Sequence, residues 1–163
     1  MVVVLSRASE EGKMNYKRIV LGGLAGGALM IVIDMVATGA LGLGKQWEEA
    51  VAALGKPMHV SGGLMAMFFI NYFLRGVMLV WIYAAIRPRF GAGPATAIRA
   101  AFVFWIAMAV FPDIVNISFD LFPARTVVTM GIVALAEMIA GTMLGGWLYQ
   151  EEAAGQSRTV AAG

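Results

Sequence analysis

Four ionisable residues interrupt stretches of the chain that are otherwise apolar: Asp34, Arg75, Asp113 and Glu137. Carboxylates and a guanidinium in such surroundings are what proton relays, cation sites and buried ion-pair networks are built from. Three of the four have a polar companion one helical turn away. Thr38 follows Asp34, Asn71 precedes Arg75, and Asn116 follows Asp113. Arg75 lies within NYFLRGVMLVWIY, residues 71–83. A lone charge near the middle of a bilayer costs at least ~2.5–3.5 kcal/mol, so this arginine needs partners.

The bilayer enters through composition. The 163 residues are 60% hydrophobic and 13% charged, with a mean hydropathy of +0.80. A soluble domain is nearer ~45–50% apolar and ~25% charged, and this chain lacks the polar surface to face water all round. A net charge of +2 without a basic, aromatic-interleaved cluster does not point to a nucleic-acid partner, and none is expected. The absence of cysteine excludes disulfides, thiolate metal sites and thiol catalysis.

Four stretches reach the ~20 residues that a helix needs to cross the hydrocarbon core: 19–44, 63–86, 98–119 and 126–149. The expected fold is therefore all-α, an integral membrane bundle of four transmembrane helices over 19–149. Residues 1–18 form a leader on the cytoplasmic side and 150–163 a flexible cytoplasmic tail. Met14 reads as a natural start, and Lys17 and Arg18 flank the first stretch as they would an uncleaved anchor. With the N terminus inside, eight basic residues fall on the cytoplasmic side (Arg7, Lys13, Lys17, Arg18, Arg87, Arg89, Arg99 and Arg158). Three, Lys45, Lys56 and Arg125, fall on the other. Both termini are thus expected in the cytoplasm by the positive-inside rule.

Between the first two spans, KQWEEAVAALGKP (45–57) sets Trp47, Val51 and Leu54 on one helical face and ends on Gly55 and Pro57. It reads as a short amphipathic helix in the outer interface or as a connecting loop with a tryptophan anchor. RPRFGAGP (87–94) reads as a tight turn that makes spans two and three antiparallel neighbours. GVMLVWIY (76–83) is echoed by GTMLGGWLY (141–149). A parallel repeat of two hairpins would produce that echo, and so would convergent use of interfacial Trp and Tyr.

Counting ~1.5 Å per residue from each cytoplasmic end places Asp34 roughly 24 Å in, Asp113 roughly 21 Å, and Arg75 and Glu137 roughly 18 Å. One ionisable group per helix therefore belongs to one layer. Gly23 and Gly27 share a stripe with Asp34, and Gly141 and Gly145 share one with Glu137, so the charges are expected to face the helix–helix contacts. Three acids against one arginine leave two negative charges in excess. The layer then calls for a proton, a cation or a water-filled cavity. Pro112 should free the Met108 carbonyl and kink the third span beside it.

Other chemistry finds little footing. His59, the single histidine, reads as a solvated loop residue, and no metal set accompanies it. Ser61 and Ser118 lack a base. GGLAGG follows no strand and reads as helix packing rather than a phosphate loop. The twelve methionines are scattered, as core packing would leave them. No cofactor is implied.

The segments GLGKQWEEAVAALGKP, WIYAAIRPRFGAGPATAIRAAFVFW and GGWLYQ resemble those of four-helix bacterial inner-membrane proteins of uncharacterised function. The resemblance spans most of residues 14–150. It implies a four-helix fold in a bacterial inner membrane and transfers no activity or site residue. The expected role is binding or permeation of a proton, cation or small polar solute at the polar layer, with a homo-oligomer lining any pathway. The alternatives are an accessory subunit of a larger membrane complex, with the layer as internal glue, and a small membrane enzyme.

Overall fold

The computed structural model describes residues 14–55 and 60–149. His59 and the segments 1–13 and 150–163 lie outside the described residues. The chain forms α1 (Tyr16–Ala40), α2 (Leu43–Ala53), α3 (Gly62–Phe90), α4 (Pro94–Trp105), a π-helical segment (Ile106–Val110), α5 (Phe111–Ser118) and α6 (Ala124–Leu148). Among the described residues, four helical spans are long and apolar enough to cross a membrane: α1, α3, the continuous run Pro94–Ser118, and α6. At 25 to 29 residues each exceeds a ~30 Å hydrocarbon core. The expected all-helical bundle is what forms, with the short helix α2 between the first two spans.

The helix ends follow local chemistry. Asn15 Oδ1 accepts from the Arg18 amide at 3.0 Å, and Ser61 Oγ accepts from the Leu64 amide at 3.2 Å, capping α1 and α3. The 87–94 turn is shorter than its sequence suggests, because α3 runs on through Pro88 to Phe90. A proline in the last turn forfeits one backbone bond without ending the helix. Gly91, at φ 82°, ends it, and Pro94 opens α4 at a position that suits its fixed φ. Thr96 Oγ1 donates to the Gly91 carbonyl at 2.8 Å, and the Tyr83 hydroxyl accepts from the Gly93 amide at 3.2 Å, closing the corner.

The first span stops at Ala40, earlier than the expected boundary. Gly42 then takes φ 63° and starts α2 at Leu43. That start decides which face of α2 turns inward. Leu43, Trp47 and Ala50 share one face at i, i+4 and i+7. Leu43 and Ala50 are buried, and Trp47 stacks on Phe122 with ring centroids 4.4 Å apart. Leu54, placed on one face with Trp47 and Val51 by its spacing, lies past the helix end and is exposed.

Helices α3 and α6 both pack against α1 and against α4, leaving α1 and α4 at opposite corners. The contact of α1 with its two neighbours is backbone against backbone. A Cβ on Gly22 would sit 2.6 Å from the Gly145 carbonyl oxygen, and one on Gly26 2.5 Å from that of Gly141. Gly76 of α3 lies directly on Gly23 and Gly27. The small-residue stripes are therefore the seam of the bundle. Around it, Ile19, Val80, Tyr83, Ala97, Ala100 and Tyr149 fill the end nearer the chain's N terminus. Met30, Tyr72, Leu79, Phe104 and Met138 fill the middle. The two echoed motifs behave alike. Trp81 and Trp147 point outward, while Tyr83 and Tyr149 are buried and meet edge to face at 6.3 Å.

Candidate functional site

Past the seam, on the side of α2, the bundle opens. A cleft of about 640 Å³ lies between α1, α3 and α6. Its polar lining is Asp34, Thr38, Asn71, Tyr72, Arg75 and Glu137. Apolar side chains from α2, α3 and α6, among them Trp47, Phe68 and Met130, form the rest of its walls.

Side-chain direction explains why residues at different heights converge. A helical Cα–Cβ bond tilts toward its own N terminus. Helices α3 and α6 start at the α2 end, so Arg75 and Glu137 lean toward that end. Helix α1 starts at the other end, so Asp34 leans back to meet them. The backbone heights are staggered, since Gly76 packs on Gly23 and Gly27 while Gly141 packs on Gly26. The side chains nonetheless close on one space.

Glu137 is 2% exposed, and its carboxyl lies within hydrogen-bonding reach of the Asp34 carboxyl. Asp34 and Arg75 act on it electrostatically, and Asp34, Glu137 and Arg75 all act on the Tyr72 hydroxyl. Thr38 Oγ1 donates to Asp34 Oδ1 at a long 3.5 Å. The Arg75 guanidinium carbon stands 5.8 Å from the centre of the Tyr72 ring, in cation–π range, and its buried Nε has no hydrogen-bond partner. Among the described residues no carboxylate comes within 4.0 Å of Arg75. The ion pair found there is Lys45–Glu49, at 3.8 Å on the surface of α2. Arg75 is therefore not clamped by carboxylates. It is held beside an aromatic ring and faces an open polar space.

Asp113 and Asn116 stand elsewhere. Asp113 Oδ2 packs on Gly131 of α6, where a Cβ would lie 2.9 Å from it. Positions 131 and 137 are six residues apart, about 120° round the helix, so Asp113 addresses a different side of α6 from the cleft. None of the cleft's charged groups acts on it. Asn116 shares its face by helical spacing. The same side of α6 takes a hydrogen bond from Trp105 Nε1 to the Gly131 carbonyl, 2.7 Å. Just before Pro112, where a kink was expected, the helix holds a π-helical segment, with the Phe111 amide donating to the Ile106 carbonyl. A π turn holds an extra residue and rotates everything that follows.

Of the residues read from sequence, Asp34, Thr38, Asn71, Arg75 and Glu137 come together, and Asp113 and Asn116 do not join them. Gly23, Gly27, Gly141 and Gly145 line the seam beneath. Tyr72 and Trp47 complete the cleft and were not anticipated there. The signal was the spacing of Tyr72 against Phe68, one turn apart with ring centroids at 4.8 Å. Among the described residues no three potential metal-ligating side chains are grouped. No family model matches the chain, and neither a curated protein nor a solved structure does.

Proposed function

We propose that the chain is a polytopic protein of a bacterial inner membrane, with both termini cytoplasmic, that binds or passes a small polar solute, a cation or a proton at the cleft between α1, α3 and α6. The observation that carries this reading is the separation of Arg75 from the carboxyls that share its cleft. A network that served only as glue would close its ion pairs, because burying two charges without contact gains no attraction to offset their desolvation. Here two carboxyls and a guanidinium line about 640 Å³ of space, and among the described residues no carboxylate comes within 4.0 Å of the guanidinium. That volume is within the usual ~300–1,000 Å³ range of small-molecule sites. Within one copy the cleft ends at the glycine seam, so binding needs one chain, while passage needs helix movement or a second copy.

The orientation rests on the eight-to-three distribution of basic residues. A reporter fused after Arg89 should score cytoplasmic and one placed within 45–55 periplasmic; the opposite signs would reverse it. The site is tested by thermal unfolding of the purified chain while pH, alkali cations and small polar solutes are varied. A ligand at 100 times its Kd stabilises by about 2.7 kcal/mol. The wild type should respond to at least one condition and a combined Asp34→Asn, Arg75→Met and Glu137→Gln variant should not. Identical responses from the two would remove the proposal.

A further inference from the structure

We infer that the ligand of the cleft is a small zwitterion of the amino-acid class, its ammonium held by Asp34 and Glu137 and its carboxylate by Arg75. This rests on the reading that the cleft is a binding site. The support is that groups of both signs line the space, and each is without a close partner of opposite charge. Glu137 is 2% exposed and lines the cleft beside the Asp34 carboxyl, with no lysine or arginine nitrogen within 4.0 Å among the described residues. The Arg75 guanidinium lines the same cleft with no carboxylate within 4.0 Å.

The simpler ligand classes each leave one sign unanswered. A bare cation or an organic amine would sit between the carboxylates and leave the guanidinium without an acceptor. An anion would reach Arg75 but meet two carboxylates across the same space, a like-charge contact that is costly where the dielectric is low. A solute bearing both groups satisfies both sides. Its carboxylate accepts the arginine's forked donors in the geometry that guanidinium favours. Its ammonium presents three donors, enough for Asp34 and Glu137 together. Asn71 and the Tyr72 hydroxyl stand beside the charged groups as neutral partners. The apolar walls from Phe68, Met130 and Trp47 fit an uncharged side chain.

Isothermal titration calorimetry of the full chain in lipid nanodiscs tests this with defined probes. The zwitterions are glycine, leucine and phenylalanine. Leucine is compared with isoamylamine, which keeps the amine and isobutyl group, and with isocaproate, which keeps the carboxylate. At least one zwitterion should bind saturably, and each one-charge analogue should bind at least about tenfold more weakly than leucine, as loss of a charge-assisted contact implies. Arg75→Met should erase leucine's advantage over isoamylamine, and Glu137→Gln its advantage over isocaproate. The analogue comparison needs no variant, so it stands if either substitution impairs folding. Isoamylamine or isocaproate binding as tightly as leucine overturns the inference. So does failure of all three zwitterions. If pH or sodium then still stabilises the wild type but not the combined variant, the cleft remains a site with another ligand. If nothing does, both readings fall.

Discussion

The two ends of the α1–α3–α6 junction use the same three helices and solve opposite problems. At the seam, Gly22, Gly23, Gly26, Gly27, Gly76, Gly141 and Gly145 let backbones touch and leave no room for a Cβ. At the α2 end, Asp34 and Thr38 follow on α1, Tyr72 and Asn71 on α3, and Ala134 and Met130 on α6. Larger residues hold the helices apart there, and the polar ones line the gap. Glycine seams have no hydrophobic effect to rely on inside lipid; their attraction is close packing. The seam fixes the separation of the helices at one end, and so fixes the width of the cleft at the other.

The sharpest way to break this contrast is at Gly76. A Cβ there would collide with the Gly23 carbonyl oxygen, which is backbone and cannot move aside. Gly76→Ala should destabilise by about 3 kcal/mol or more, since overpacking costs ~1–3 kcal/mol even where side chains can adjust. Thermal unfolding in detergent reads it, and a melting temperature equal to wild type would mean the seam is looser than described.

At the cleft, replacing a whole set of buried charges should cost little. The combined Asp34→Asn, Arg75→Met and Glu137→Gln variant is expected to unfold within about 1 kcal/mol of wild type. Arg75→Met alone should be less stable than the combined variant, because two carboxylates then face each other without a cation. If the single change is the milder one, the charges do not share a space.

Smaller effects mark the borders of the two regions. Trp47→Ala removes the stack on Phe122 and should cost ~0.5–1.5 kcal/mol beyond the lost area, loosening α2. This reads as faster amide exchange across Leu43–Ala53. Gly39 has nothing within 4 Å of a built Cβ, so Gly39→Ala should be neutral or stabilise by up to ~1 kcal/mol, as alanine does in an open helical position. A glycine on α1 that tolerates alanine, beside one on α3 that does not, would confirm that packing and not helix propensity sets the seam.

Hydropathy made the four spans legible, since an apolar run of spanning length admits few alternatives. The seam was legible too, because glycines at i, i+4 spacing on two helices have one obvious use. Depth counting grouped Asp34, Arg75 and Glu137, and these three line one cleft. It failed for Asp113, because depth carries no information about which way round the helix a residue points. The π turn before Pro112 adds a rotation that straight-helix counting omits. The face drawn through Trp47, Val51 and Leu54 lost its last member because α2 starts at Leu43 and ends at Ala53, before Leu54. Tyr72 was overlooked because its hydroxyl was not counted among the ionisable groups, although it lines the cleft beside them.

The central claim is that a polar, water-accessible space exists inside the membrane-spanning bundle at Asp34, Arg75 and Glu137. The chain contains no cysteine, so single substitutions report on their own without a background to clear. Thr38→Cys and Asn71→Cys place a thiol in the cleft. Ile132→Cys places one on the exposed outer face of α6, and Val80→Cys one in the packed core. A membrane-impermeant, hydrophilic thiol reagent applied to intact membranes, with modification read by mass spectrometry, separates them. The account predicts modification at positions 38 and 71 and none at 132 or 80. Protection at 38 and 71 equal to that at 80 would contradict it, and the charges would then be a closed structural network.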